Sequence, residues 1–216
     1  KGLQNLPGTI DHLMKYNPSY ISCTYGAGGG NVGANREVCQ MIKNAGTTPV
    51  THFTVIKNTK EGIKEQLDQY LADGVDHMLA LRGDIPLGET TTCGDFDYAT
   101  DLVKFVRDTY GDKFEIAVAG SPEGHISCRS LESDIAVLKQ KQDNGADYIM
   151  TQLCWDMEQF KYWLDAIRKA GITMPVDVGV MPILDQAATI NMALSRNGCV
   201  MDRELSRMIS RHWLFP

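Results

Sequence analysis

The sequence predicts an α/β protein of the parallel (β/α)8 TIM-barrel class, and three observations carry that prediction. Short apolar runs alternate with amphipathic helical stretches, and the runs end near residues 24, 54, 82, 120, 152 and 181. A step of roughly 30 residues is one strand–helix unit. Nearly every run ends in polar residues. That is the habit of a barrel whose strand ends share one rim, whereas an open doubly wound sheet gathers its polar groups at one switch point. Finally, the glycines after the first run (Gly26, Gly28, Gly29, Gly30) do not meet the G-x-G-x-x-G register of a dinucleotide fingerprint. Eight strands usually take about 250 residues. Six strands in a chain of 216 residues therefore lead to the expectation of a single barrel domain over 1–216, incomplete at both ends, with the first and last strands missing. The start at Lys1 and the ending Trp213-Leu214-Phe215-Pro216 agree with a piece of a longer protein.

The elements follow in order. Ile10, Leu13 and Met14 recur at helical spacing over Asn5–Lys15, and Asn17-Pro18 breaks that helix. Tyr20–Cys23 is the first strand, and a helix runs from about Gly33 to Asn44. The second strand, Pro49–Ile56, carries His52 and Thr54. Asn58-x-x-Glu61 reads as a capping box for a helix with Ile63, Leu67, Tyr70 and Leu71. His77–Leu81 is apolar without alternation from Met78 on, which suggests a strand covered on both faces, and it opens into Arg82-Gly83-Asp84. Tyr98, Leu102, Phe105 and Val106 mark a helix, and Phe114–Val118 the next strand, which leads into Ser121-Pro122-Glu123-Gly124-His125. Leu131, Ile135 and Leu138 mark a helix stopped by Asn144-Gly145. Tyr148–Thr151 is a strand closed by Gln152. Asp156 caps a helix that ends at Ala170-Gly171, Pro175–Val180 is the last clear strand, and helical segments follow around 185–194 and 202–212.

Composition narrows the partners. A net charge of −6 with no Lys/Arg cluster argues against a nucleic-acid or anionic-membrane surface and leaves small molecules. No apolar run is long enough to span a bilayer and no signal-peptide pattern opens the chain, so a cytoplasmic protein is expected. The six cysteines are scattered without a C-x-x-C pair, which reads as free thiols in a reducing compartment.

Placed on one rim, Thr24-Tyr25, His52-Thr54, Arg82-Gly83-Asp84, Ser121-Glu123-His125 and Gln152 make a mouth rich in hydrogen-bonding groups. Arginine offers fixed donors to an anion, glycine allows close approach to backbone, and aspartate accepts from a ring N–H or tunes a cofactor. Plainer readings stand beside these: His52 as a satisfied core histidine, Gln152 as a strand-end cap, Asp134 as a solvated helix-face residue, Trp155, Trp163 and Trp213 as packing. No nucleophile elbow supports a hydrolase, and no ligand spacing supports a metal. The residues by themselves reach a cofactor- or metabolite-dependent enzyme on a parallel barrel.

At these same points the sequence resembles the methylenetetrahydrofolate reductase family of FAD-dependent (β/α)8 barrels. The motifs are Ser22-Cys23-Thr24-Tyr25-Gly26-Ala27, Thr51-His52-Phe53-Thr54, Leu79-Ala80-Leu81-Arg82-Gly83-Asp84, Tyr98-Ala99-Thr100-Asp101-Leu102-Val103, Pro122-Glu123-Gly124-His125, Ile149-Met150-Thr151-Gln152 and Gly179-Val180-Met181-Pro182. They keep the family's order and approximate spacing over nearly the whole chain, thinning after Pro182. The resemblance implies FAD bound by Thr24, Tyr25, Ala27, His52, Arg82, Gly83, Asp84, Ala99, His125, Asp134 and Lys141. It implies catalytic roles for Asp84 and Gln152, and folate contacts from Asp84, Gln152 and Gln186, the last only with a two-residue deletion. The implied reaction is hydride transfer from reduced FAD to 5,10-methylenetetrahydrofolate, giving 5-methyltetrahydrofolate for one-carbon and methionine metabolism or an acetogenic methyl branch.

The electron donor expected from this resemblance is NAD(P)H or a partner redox protein, and the protein is expected to be an oligomer without a metal. The family's general-acid glutamate lies on a first strand that has no counterpart in this sequence, and the arginine and tyrosine of the eighth strand are likewise missing. Ser121 replaces a flavin-stacking aromatic of many members, and Val137 and Gln140 replace polar or basic residues of the FAD helix. A non-catalytic FAD-binding or electron-transfer subunit is the alternative, and another flavin barrel enzyme such as a proline dehydrogenase is a weaker one.

Overall fold

The computed structural model describes residues 2–24, 32–85, 88–194, 201 and 203–214. Tyr25 and Ala27 lie outside them. The elements alternate as read: α1 (Gly2–Met14), β1 (Tyr20–Cys23), α2 (Val32–Asn44), β2 (Thr48–Thr54), α3 (Lys60–Ala72), β3 (His77–Leu81), α4 (Ala99–Tyr110), β4 (Glu115–Gly120), α5 (Leu131–Asp143), β5 (Tyr148–Thr151), α6 (Met157–Lys169), β6 (Val176–Asp177), α7 (Gln186–Leu194) and α8 (Arg203–Leu214). The strands stand in chain order β1 to β6 within one sheet. The pairs β1–β2, β2–β3, β3–β4 and β5–β6 are parallel. Sequential parallel order with a helix after each strand is the α/β arrangement of the (β/α) barrel class.

The chain forms two compact units, residues 1–118 with 144–147, and residues 119–143 with 148–216. In the first, Phe53, Met78 and Ile116 of the strands and Ile42, Ile63, Leu67, Tyr70 and Leu102 of the helices are all fully buried. Phe53 and Tyr70 pack edge to face with ring centres 6.3 Å apart. Burial of such side chains stabilises by roughly 1.5–3 kcal/mol each. The segment 144–147 is fastened to this unit by polar contacts. Arg107 Nη2 reaches Asp147 at 2.7 Å and its Nε donates to the Gly145 carbonyl at 3.0 Å. The amide N–H of Ile116 donates to Asp147 at 2.7 Å, and Asn144 Nδ2 to the Thr100 carbonyl at 3.0 Å.

The second unit is built around Trp163, Ile149 and Ile167, which are fully buried. Gly120 permits this packing, because a β-carbon there would stand 2.6 Å from Ile149 Cγ2 and 3.1 Å from the Trp163 ring. Asp156 caps α6 as read, accepting from the N–H groups of Glu158 and Gln159 at 2.9 and 3.0 Å.

Three sequence expectations are corrected. β2 stops at Thr54 rather than Ile56, since Asn58 draws the chain into a turn by donating from Nδ2 to the Thr54 carbonyl. The cap of α3 is Thr59, whose hydroxyl accepts from Gly62 N–H at 3.1 Å; Asn58, one residue earlier, spends its side chain on Thr54 and Gln66 instead. β6 has only Val176 and Asp177 of the expected Pro175–Val180 run. No helix among the described residues is long and apolar enough to cross a membrane.

Candidate active site

In the first unit, strand pairing brings the carboxyl ends of β1, β2 and β3 side by side. Cys23 pairs with Thr51, and Thr54 with Leu81. Thr24 leaves β1 one residue beyond that register, and Arg82-Gly83-Asp84 leaves β3 beyond Thr54. Alternation on β2 sorts its side chains. Thr51 and Phe53 meet Asn35 of α2 and Tyr70 of α3, so His52 and Thr54 take the opposite face. His52 is half-buried, and desolvation pushes its imidazole below the ordinary value of 6.5, so it is neutral at pH 7. Thr54 is 4% exposed and its hydroxyl has no hydrogen-bond partner among the described residues.

Gly83 stands over this corner at φ +86°, with an ideal β-carbon only 3.1 Å from Thr54 Cβ and 3.2 Å from Ile56 Cβ. Any side chain there would be strained and crowded, so the backbone stays bare. Arg82 is half-buried and its Nε donates to the Gly83 carbonyl at 3.3 Å, while Asp84 is exposed. Bare backbone, a fixed guanidinium, a neutral imidazole and a carboxylate can together bind an anionic, ring-bearing ligand. Ala99 opens α4 in the same unit.

In the second unit a separate constellation forms after β4. Asp134 on α5 accepts from the backbone N–H of His125 at 3.1 Å and from Cys128 Sγ at 3.6 Å. Asp134 is therefore half-buried and engaged, not the solvated face residue of the plainer reading. His125 is exposed, its Nδ1 accepting from Ser127 N–H at 3.2 Å. Lys141, two turns further along the same face of α5, donates to the Ala119 carbonyl at 3.0 Å. Desolvation lowers its pKa, with the Asp134 carboxylate opposing that shift. Gln152 follows β5: its N–H donates to the Gly120 carbonyl at 2.8 Å, and its Oε1 accepts from Leu153 N–H at 2.8 Å. Gln186 begins α7, half-buried, beside Asp185, which accepts from Ala188 N–H at 2.7 Å.

The predicted residues thus fall into two groups: Thr24, His52, Arg82, Gly83 and Asp84 at the strand ends of the first unit, and His125, Asp134, Lys141 and Gln152 in the second. Sequence reasoning passed over Cys128, and over Asn35, which is 3% exposed and bonds to Cys23, Thr24, Thr51 and Tyr70. The signal for Asn35 was available. It shares a helix face with Cys39 and Ile42, at spacings of four and seven residues, where an amphipathic helix presents apolar groups.

With this geometry in hand, comparison with known proteins is informative. A family model described as methylenetetrahydrofolate reductase matches residues 1–205. The chain is 36% identical over 205 residues to methylenetetrahydrofolate reductase (NADH) 1 of Arabidopsis thaliana, covering 89% of this chain and 35% of that one. It is 33% identical over 181 residues to the 5,10-methylenetetrahydrofolate reductase of Escherichia coli, covering 83% and 60%. The chain therefore spans about a third of the plant relative's length and three-fifths of the bacterial one's.

Among solved structures, phosphonopyruvate hydrolase aligns with TM-score 0.61 at 11% identity, over 96% of this chain and 77% of that one. An uncharacterized Clostridium thermocellum protein that binds 5-methyl-5,6,7,8-tetrahydrofolic acid aligns with TM-score 0.63 at 12% identity, over 98% and 77%. At such identities these two likenesses speak for the fold alone. The match over residues 1–205 and the level of identity to curated relatives place the chain in the methylenetetrahydrofolate reductase family.

Proposed function

We propose that the protein reduces 5,10-methylenetetrahydrofolate to 5-methyltetrahydrofolate, with FAD as its cofactor. The observation that carries this reading is the family match over 1–205, joined to an Arg-Gly-Asp strand end whose glycine admits no side chain. The residues present suit FAD chemically. The buried Thr54 hydroxyl, without a partner among the described residues, suits a polar ligand in the first unit. A half-buried, desolvated lysine amine that donates to the Ala119 carbonyl suits anionic phosphate oxygen in the second.

When bound, FAD supplies the hydride that the methylene carbon of the folate receives. The chain's own groups bind and orient. Arg82 in the first unit and Lys141 in the second each offer a cation that would suit phosphate oxygen. Thr24, neutral His52 and Ala99 of the first unit would contribute to holding the cofactor, and Asp134 fixes the loop carrying His125 through its backbone bond. Asp84 would supply a negative charge that favours hydride donation, and Gln152, with Gln186, would contact the folate.

The names of relatives specify NADH in plants and NADPH in Caenorhabditis elegans, which supports a pyridine nucleotide as donor over a partner redox protein. The test is single-substrate turnover by the purified protein, supplying methylenetetrahydrofolate with NADH, NADPH or a reduced low-potential dye in turn and quantifying 5-methyltetrahydrofolate. Product with one nucleotide confirms the reading and names the donor, and product with the dye alone assigns a partner redox protein. Bound flavin without product under all three conditions overturns the reductase reading in favour of a non-catalytic FAD subunit.

A further inference from the structure

We propose that Asn35 is a positioning residue for FAD, a backbone clamp that sets the β1 end from which Thr24 meets the cofactor. The inference rests on the FAD reading above but adds to it a buried residue outside the proposed contacts. Asn35 sits on α2 and is 3% exposed. Its Nδ2 donates to the Cys23 carbonyl at 3.2 Å and to the Thr24 carbonyl at 3.1 Å, the last residue of β1 and the first beyond it, and also lies 3.3 Å from Cys23 Sγ. Its Oδ1 accepts from Thr51 Oγ1 at 2.8 Å, Tyr70 Oη at 2.7 Å and Cys39 Sγ at 3.5 Å. Two carbonyls on one side and two hydroxyls on the other fix the orientation of the amide. A flipped amide would set its oxygen against both carbonyls.

The geometry divides the amide into two halves with different work. The oxygen half ties α2 to β2 and α3 inside the core. The nitrogen half alone reaches the strand end and holds two successive peptide planes, which fixes the direction in which Thr24 leaves the sheet. Thr24 itself is exposed. A buried side chain saturated in this way costs stability when any partner is lost, but only loss of the nitrogen half releases the Thr24 backbone.

That division makes the test. FAD dissociation constants are measured by flavin fluorescence on apoprotein for the wild type, Asn35→Asp, Thr51→Val and Tyr70→Phe, with thermal midpoints taken alongside. N35D keeps the acceptor and sets a carboxylate against two carbonyls. T51V and Y70F each remove one bond to Oδ1 and leave the clamp.

The expected result is FAD affinity weakened on the order of tenfold in N35D. T51V and Y70F should stay within about threefold of wild type even where their thermal midpoints fall as far. Should N35D not fold, Asn35→Ser, whose hydroxyl can serve one carbonyl, takes its place with an intermediate loss. Wild-type FAD affinity in N35D or N35S, or equal losses in all variants of equal stability, overturns the clamp and leaves the FAD reading intact. Absence of FAD binding by the wild type overturns the FAD reading itself.

Discussion

At the scale of single residues, charge and burial decide what each strand end can do. Asp84 is exposed at the end of β3 with a carboxylate that a neutral isostere would abolish without changing shape. Asp84→Asn is therefore expected to bind FAD as tightly as wild type while slowing folate reduction on the order of tenfold or more, measured as stopped-flow flavin reoxidation by methylenetetrahydrofolate. Unchanged reoxidation would remove the electronic role from Asp84. His52 makes a prediction in pH. Its imidazole is held neutral by burial, below 6.5, whereas the unfolded chain takes up the proton as pH falls past that value. The stability it contributes is full above pH 6.5 and is lost as pH drops through the lowered folded value. His52→Gln should accordingly flatten the decline in urea-unfolding free energy as pH falls below 6.5, where the slope for one proton is at most about 1.4 kcal/mol per pH unit. An identical slope in both proteins would show that His52 titrates freely.

At the scale of elements, the glycine after β3 links packing to the site. Gly83→Ala adds a β-carbon at φ +86° within 3.1 Å of Thr54 and 3.2 Å of Ile56. The expected cost is about 1–3 kcal/mol, read as a lowered thermal midpoint, together with weaker FAD binding because the corner must shift. A variant as stable as the parent would mean that the β3 end relaxes freely.

Elements were also where the sequence was most legible. The 30-residue step, the unbroken apolar run Met78–Leu81 and the Asp156 cap each follow from local physics and each appear in the structure. The Thr59 cap did not follow, because Asn58 and Thr59 are both good cap residues. What chose between them was a tertiary bond, from Asn58 to the Thr54 carbonyl. The early end of β6 has the same character, for strand length is set by pairing with β5 and not by the apolar run itself.

At the scale of the molecule, sequential parallel strands carry polar groups at their carboxyl ends, and this was legible because barrels repeat one rule in every unit. The candidate site was legible in part. Arg82, Gly83 and Asp84 advertise themselves by interrupting an apolar run. Asn35 does so only through the helix face it shares with Cys39 and Ile42, because its partners Thr51 and Tyr70 are distant in sequence, and Cys128 does not, because its contact with Asp134 depends on how the loop before α5 folds. The assignment of the resemblance to the reductase family stands on motif order, and the family match over 1–205 agrees with it. The most direct measurement is the visible spectrum of the purified, flavin-loaded protein under anaerobic conditions, before and after 5-methyltetrahydrofolate is added. Bleaching of the oxidised-flavin bands at a rate that depends on folate concentration is the result expected of a reductase run in reverse. A flavin spectrum indifferent to the folate would contradict it.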